Sequence, residues 1–236
     1  MVFAFEIDGH SIGPCDVTSK IELEKLIQDL SLKEKYLNLL VSNAGVGGPK
    51  APPDSDDANA LHDKIWQGET VEEWNAVFQT NVAGVYFSTL AFLPLLQASM
   101  EPKGSFPQRS ASVIVISSMS GIMRNAQGHF AYNAAKGATV HLSKLMSAEF
   151  EKASIRVNSI APGYFPSEMT MKESNEDNKS YMPAEKVLDK GHPVPAQRPG
   201  SDQEMAQGII FLAKNMYVNG EVIAIDGGVL NQVPGR

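Results

Sequence analysis

Three short strand-like segments, two of them mainly apolar, leave this chain few folds to choose from. Leu37 to Val41 ends in Ser42-Asn43-Ala44-Gly45, Ser112-Val113-Ile114-Val115-Ile116-Ser117 stands alone, and Ile155 to Ile160 stops at Pro162-Gly163. Apolar runs without polar alternation predict strands covered on both faces, the condition of a parallel sheet. Between them the period changes to that of a helix. Ser19 and Glu22 form a capping-box pattern ahead of Leu23, Leu26, Ile27 and Leu30. Thr70 and Glu73 repeat that pattern at the head of a stretch running towards Asn81 and, after a break, to about Gln97. Phe130 to about Lys152 and Asp202 to Lys214 also read as helices, and Glu221 to Ile225 reads as a last strand before Asp226-Gly227-Gly228. Alternating strands and helices predict an α/β fold, a doubly wound parallel sheet of Rossmann-like type. Ligands of such sheets bind at the carboxyl ends of the strands, so the loops after Val41, Ser117 and Ile160 should line a site. The Gly- and Pro-rich stretch from Gly45 to Asp57 reads as a surface loop.

With 236 residues and 43% hydrophobic content, the chain suits one domain spanning 1–236. A formal net charge of −7 argues against a nucleic-acid partner, which would need clustered Lys and Arg. A single cysteine, Cys15, rules out an internal disulfide and is at ease in the cytoplasm. No run reaches the roughly 20 apolar residues of a membrane span, and no signal-peptide pattern opens the chain, so no membrane partner is expected. No metal-ligand set is assigned.

Tyr132 and Lys136 stand four residues apart and so share one face of the predicted helix. A nearby ammonium favours a phenolate, which would bring a tyrosine towards acid/base work at neutral pH. The same spacing is common on ordinary amphipathic helices, and the pair needs company. Ser118 follows a buried strand, where its hydroxyl is either a turn feature or a hydrogen-bond donor to a carbonyl. Asn81 lies in a helical region that disfavours Asn; either it ends a helix or its backbone and amide have a task. Asn43-Ala44-Gly45 closes another strand at the same edge, as a plain turn or as a place of close approach.

In this order Asn43-Ala44-Gly45, Asn81, Ser118, Tyr132-x-x-x-Lys136, Pro162-Gly163 and Asp226-Gly227-Gly228 resemble the short-chain dehydrogenase/reductase family. The resemblance extends from about Cys15 to Gly228 and implies hydride transfer with a nicotinamide cofactor, NADP or alternatively NAD. It implies that Tyr132 protonates the carbonyl oxygen while Ser118 holds it. Lys136 would lower the Tyr132 pKa and hold the nicotinamide ribose, and Asn81 would anchor a proton-supplying water. Asp16 would contact adenine, although capping ahead of Ser19 is its plainer role. Asn43, Ala44 and Gly45 would line the cofactor groove with Pro162 and Gly163, and Ser167 stands where many members contact the carboxamide. The stretch Gly163 to Met169 is similar to rhamnolipid-type 3-oxoacyl-carrier-protein reductases. That implies reduction of a ketone in secondary or lipid metabolism by a homodimer or homotetramer.

Three features depart from the family pattern. Ser118 precedes Tyr132 by 14 residues (132 − 118), one more than usual, which predicts an inserted residue between Gly121 and His129 and leaves Ser117 and Ser120 as substitutes. Met169 to Val194, expected to fold over the substrate as a mobile lid, is polar and carries no substrate fingerprint. Nothing before Asp16 resembles the family's Thr-Gly-x-x-x-Gly-x-Gly phosphate loop, and Val2 to Ile7 has room for one strand only, so the sheet is expected to lack part of its N-terminal βαβ unit. The strand ending at Val41 would then expose a long edge. Either an incomplete gene model or transcript or a catalytically inactive scaffold or oligomerisation partner would account for this; the retained catalytic residues favour the former.

Overall fold

The computed structural model describes residues 3–7, 10–100, 110–167, 171, 175, 180–188, 190 and 192–233. Two strands, β1 (Phe3–Ile7) and β2 (His10–Cys15), pair antiparallel as a separate hairpin. Only the first was expected; Gly13 and Pro14 both lie inside β2. The main sheet holds β3 (Leu39–Ser42), β4 (Ser112–Ile116), β5 (Arg156–Pro162) and β6 (Val222–Ile225), all parallel in the order β3-β4-β5-β6. Among the described residues β3 is an edge strand of that sheet.

Helices cover both faces. On one, α1 (Lys20–Ser31), α4 (Val85–Ala98) and α5 (Phe130–Phe150) bury Leu23, Leu26, Phe92, Leu96 and Met146 against Val113, Val115 and Val157. On the other, α7 (Asp202–Lys214) sets Leu212 against Ile114 and Ile160. Successive residues of β4 thus serve opposite faces, which explains why its sequence shows no polar alternation. The remaining helices are α2 (Ala58–Gly68), α3 (Val71–Phe78) and the single turn α6 (Glu185–Leu188). No periodic pattern announces α2, which has no buried residue.

The capping boxes expected from sequence differ in detail. Thr70 and Glu73 satisfy each other's backbone N–H groups at the head of α3. Ser19 caps α1 by accepting from the Glu22 N–H, whereas the Glu22 carboxylate reaches back to the Asp16 N–H. From Val71 to Ala98 the chain is helical throughout, with a π-helical turn at Gln79–Gly84 joining α3 to α4. By length and composition this stretch is apolar enough to cross a membrane, although it holds no unbroken run of about 20 apolar residues. Here Val85, Phe92 and Leu96 use that apolar character to pack on the sheet.

Candidate active site

The carboxyl ends of β3, β4 and β5 open onto one edge, and each supplies part of the site. After β4 the chain turns through a 3₁₀ segment, Met119–Gly121, capped by the Ser118 hydroxyl, which accepts from the Ser120 N–H at 3.1 Å. That segment lies directly on α5. A Cβ placed on Gly121 would stand 2.5 Å from the Lys136 carbonyl oxygen and 2.7 Å from the Gly137 nitrogen, so only glycine permits this approach. The approach brings the Ser118 hydroxyl into hydrogen-bond contact with the Tyr132 phenol. Ser118 is therefore the serine that meets the tyrosine. Ser117 instead donates to the Ile160 carbonyl at 2.9 Å and accepts from Ser159 at 2.7 Å, which commits it to the sheet.

Just before α5 lies the stretch in which the longer spacing between Ser118 and Tyr132 predicts an inserted residue. Gln127 (φ 52°) and Gly128 (φ 76°) are consecutive left-handed residues there. Gly128 needs its missing side chain, because a Cβ would lie 2.9 Å from Pro52 Cα.

Lys136 is 3% exposed, and its Nζ lies 5.8 Å from the centre of the Tyr132 ring, as the shared helix face requires. The Ile116 carbonyl accepts from that amine at 2.9 Å. Burial lowers the Lys136 pKa to about 8 and pushes the Tyr132 phenol above its ordinary value, with the Ser118 hydrogen bond opposing the latter. The net shift of Tyr132 is thus upward and set by burial, not the lowering expected from the lysine. At neutral pH the pair is a protonated phenol beside an ammonium. Such a site is equipped to give up a proton.

Asn81 is fully buried at the centre of the π turn and does not end a helix. Its amide grips Val46 twice, accepting from the Val46 N–H at 2.8 Å and donating to the Val46 carbonyl at 2.9 Å. Its own carbonyl accepts from the Thr139 hydroxyl at 2.7 Å, one turn along α5 from Lys136. A π turn dislocates the helical ladder and is frequent at functional sites. Here it joins α5 to the loop that carries Asn43, Ala44 and Gly45. Thr139 was legible only as a small polar residue on the Tyr132 side of the helix.

Asp16 leads into α1 and accepts from both the N–H and the hydroxyl of Thr18, at 2.9 and 2.8 Å, which hold its carboxyl below the usual range. Val17 then packs on Gly84 of the π turn, where a Cβ would lie 2.9 Å from its Cγ2. The capping role weighed for Asp16 falls to Ser19, Asp16 closing a turn on Thr18 instead, and its neighbour touches the site's framework. Pro162 ends β5, and Gly163 donates to the Ile225 carbonyl at 2.8 Å with the Asp226 backbone too near for any side chain. Ser167 lies exposed beyond them. Of the covering segment, residues 169, 170, 172–174, 176–179, 189 and 191 lie outside the described residues. Its remainder is less polar than its composition implied: Met182, Val187 and Val194 are buried with Met119, Met123 and Val229.

These residues fit the nicotinamide end of a dinucleotide. Lys136 is a buried amine whose single described partner is one carbonyl, leaving donors for ribose hydroxyls. A glycine-rich cradle for the pyrophosphate does not occur in the sequence before Asp16.

Comparison with known proteins agrees with the geometry. Residues 3–230 match the family described as Enoyl-(Acyl carrier protein) reductase. The short-chain dehydrogenase/reductase SAT3 of Stachybotrys chartarum is 35% identical over 92% of this chain and 84% of its own length. A 3-oxoacyl-[acyl-carrier-protein] reductase of rhamnolipid biosynthesis from Pseudomonas aeruginosa is 33% identical over 91% of this chain and 75% of its own. The solved Pseudomonas aeruginosa RhlG/NADP active-site complex superposes with a TM-score of 0.72 at 32% identity, over 92% of this chain and 75% of that one. On these grounds the chain belongs to the short-chain dehydrogenase/reductase family.

Proposed function

We propose that this oxidoreductase reduces a ketone to a secondary alcohol with NADP(H), NAD(H) being the alternative, within secondary or lipid metabolism of the cytoplasm. The carrying observation is the Ser118–Tyr132 hydroxyl pair backed by the buried Lys136 amine. The name of the Pseudomonas relative, a 3-oxoacyl-[acyl-carrier-protein] reductase of rhamnolipid biosynthesis, and the NADP in the RhlG complex support the choice of reaction and cofactor.

When bound, the reduced nicotinamide supplies the hydride. Tyr132, kept protonated by burial, delivers a proton to the ketone oxygen, and Ser118 holds that oxygen in line with the phenol. Lys136 uses its remaining N–H donors on the nicotinamide ribose. Asn81 would anchor the water that resupplies the proton, and it fixes the loop of Asn43, Ala44 and Gly45, which with Pro162 and Gly163 would line the cofactor groove, while Ser167 would contact the carboxamide. Asp16 would contact the adenine. Assembly as a homodimer or homotetramer is supported by exposed Tyr86 and Leu145 on α4 and α5 and by exposed Ile210, Phe211 and Tyr217.

Purified protein should oxidise NADPH in the presence of a ketone panel. Tyr132→Phe should lower that rate by about 10² to 10⁴-fold while NADPH binding, followed by fluorescence, persists. Equal turnover in the variant would overturn the assignment, and no turnover or NADPH binding in the native chain would favour a non-catalytic scaffold.

A further inference from the structure

The face of α2 that carries Leu61, Ile65 and Trp66 does not join the core: it lines a cavity of about 730 Å³, bounded on its other side by the first turns of α3. Val71 and Trp74 form that second wall, and Glu69, between the two helices, lines the cavity with them. Trp74 is held from behind, packed against the cluster of Val77, Ala131 and Ala135 and stacked on Phe78 with ring centroids 6.2 Å apart. Trp66 is 74% exposed and stacks on His62 at 5.6 Å. A largely apolar concavity of this volume, with two indoles and a single carboxylate, has the composition of a small-molecule pocket.

The charge around it has one sign. Between Asp54 and Glu73 the chain carries seven carboxylates and one basic side chain, Lys64. Glu69 is the carboxylate that lines the cavity, and its two oxygens differ. Oε2 accepts from Trp74 Nε1 at 2.6 Å, whereas Oε1 is sealed from solvent and has no hydrogen-bond partner among the described residues. A carboxylate oxygen withdrawn from water without a donor is costly, and a cationic N–H reaching it from the cavity would relieve that cost. The indoles favour the same ligand, since an aromatic face attracts a cation as well as an apolar body.

We propose that the cavity between α2 and α3 binds an organic ammonium ion, with its apolar body between Trp66 and Trp74 and its N–H groups on the Glu69 carboxylate. None of Asn81, Ser118, Tyr132 and Lys136 lines this cavity, so the inference stands apart from the reading of ketone reduction. A neutral ligand of the same shape forgoes the charge-assisted hydrogen bond, and an anion meets like charge.

Trp66 and Trp74 are the only tryptophans of the chain, so intrinsic tryptophan emission reports this cavity alone. Three probes share one apolar body: 4-phenylbutylamine, 4-phenylbutanol and 4-phenylbutyrate. In emission titrations the amine should bind about tenfold more tightly than the alcohol, the effect of one charge-assisted hydrogen bond, and the carboxylate more weakly than either. Glu69→Gln, which retains an oxygen for Trp74 Nε1, should bring amine and alcohol to equal affinity, while Glu24→Gln on the exposed side of α1 should keep the preference. Trp66→Ala, at an exposed position, should weaken both. Equal binding of amine and alcohol by the native chain, a preference that survives Glu69→Gln, or unchanged emission with every probe would overturn the proposal. Emission that follows protein concentration instead of added amine would overturn it in favour of a second copy of the chain seated in the cavity.

Discussion

Gly121 and Lys136 are in backbone contact: the turn that carries Ser118 rests on the helix that carries Tyr132, with no room between them for a methyl group. The hydroxyl pair therefore depends on a residue that bears no chemistry. Gly121→Ala should force the turn off α5, cost roughly 1–3 kcal/mol in stability and depress turnover further than that loss alone explains. Thermal unfolding alongside the rate of NADPH oxidation checks it; a variant matching the native protein in both would show that the turn yields freely.

Asn81→Ala should leave both the N–H and the carbonyl of Val46 without their partner, at a cost of about 2 kcal/mol. Since Val46 continues the Asn43-Ala44-Gly45 loop, affinity for NADPH should weaken in the same variant. Urea unfolding and a fluorescence titration would measure the two effects, and an unchanged titration would separate Asn81 from the groove.

Lys136 gives the pH dependence its sign. Its folded pKa, about 8, lies below the unfolded value of 10.5, so the native state releases this proton first as pH rises. The cost of burying an ammonium is thus relieved between those two values, and stability should climb with pH across that window. Activity should move the other way, with kcat/KM falling as pH rises through about 8 and the ribose-holding charge is lost. Lys136→Met should remove the stability slope. A flat profile across that window in the native protein would contradict the assignment.

Arg156, 5% exposed, closes the far end of the sheet. Its guanidinium donates to the carbonyls of Leu212, Ala213, Asn215 and Val218 and to the Ser110 hydroxyl. It thereby satisfies the end of α7 and the chain beyond it. Arg156→Met should cost roughly 3 kcal/mol, because these carbonyls lose a charged donor in a dry place. Denaturant unfolding is the measurement, and a midpoint equal to the native one would refute the role.

Much of this was readable in the chain because each strand and most helices carry a local signal. The apolar run Val113–Ile116 could satisfy its side chains only between two layers. Tyr132 and Lys136 needed only the helical repeat to be placed together. Choosing Ser118 over Ser117 was a different matter, since it turns on which hydroxyl the neighbouring strand claims through Ser159. The π turn at Asn81 was equally hidden, because it arises from packing against Val46 and Thr139 with no local composition to mark it. The direction of the Tyr132 shift was misjudged because spacing reports the nearby cation but not the loss of water around the phenol. Gln127, Tyr164 and His192 meet across 65 residues of sequence, beyond the reach of any periodicity.

The π turn at Gln79–Gly84 makes the length of its helix as restrictive as its composition. Deleting one residue there would restore an unbroken α-helical ladder and leave the helix downstream nearly in phase, because the wider turn already takes up one extra residue. Phe92 and Leu96 would keep their places on the sheet while Asn81 lost its grip on Val46. The extra residue thus serves the loop at Val46 and not the core beneath the helix.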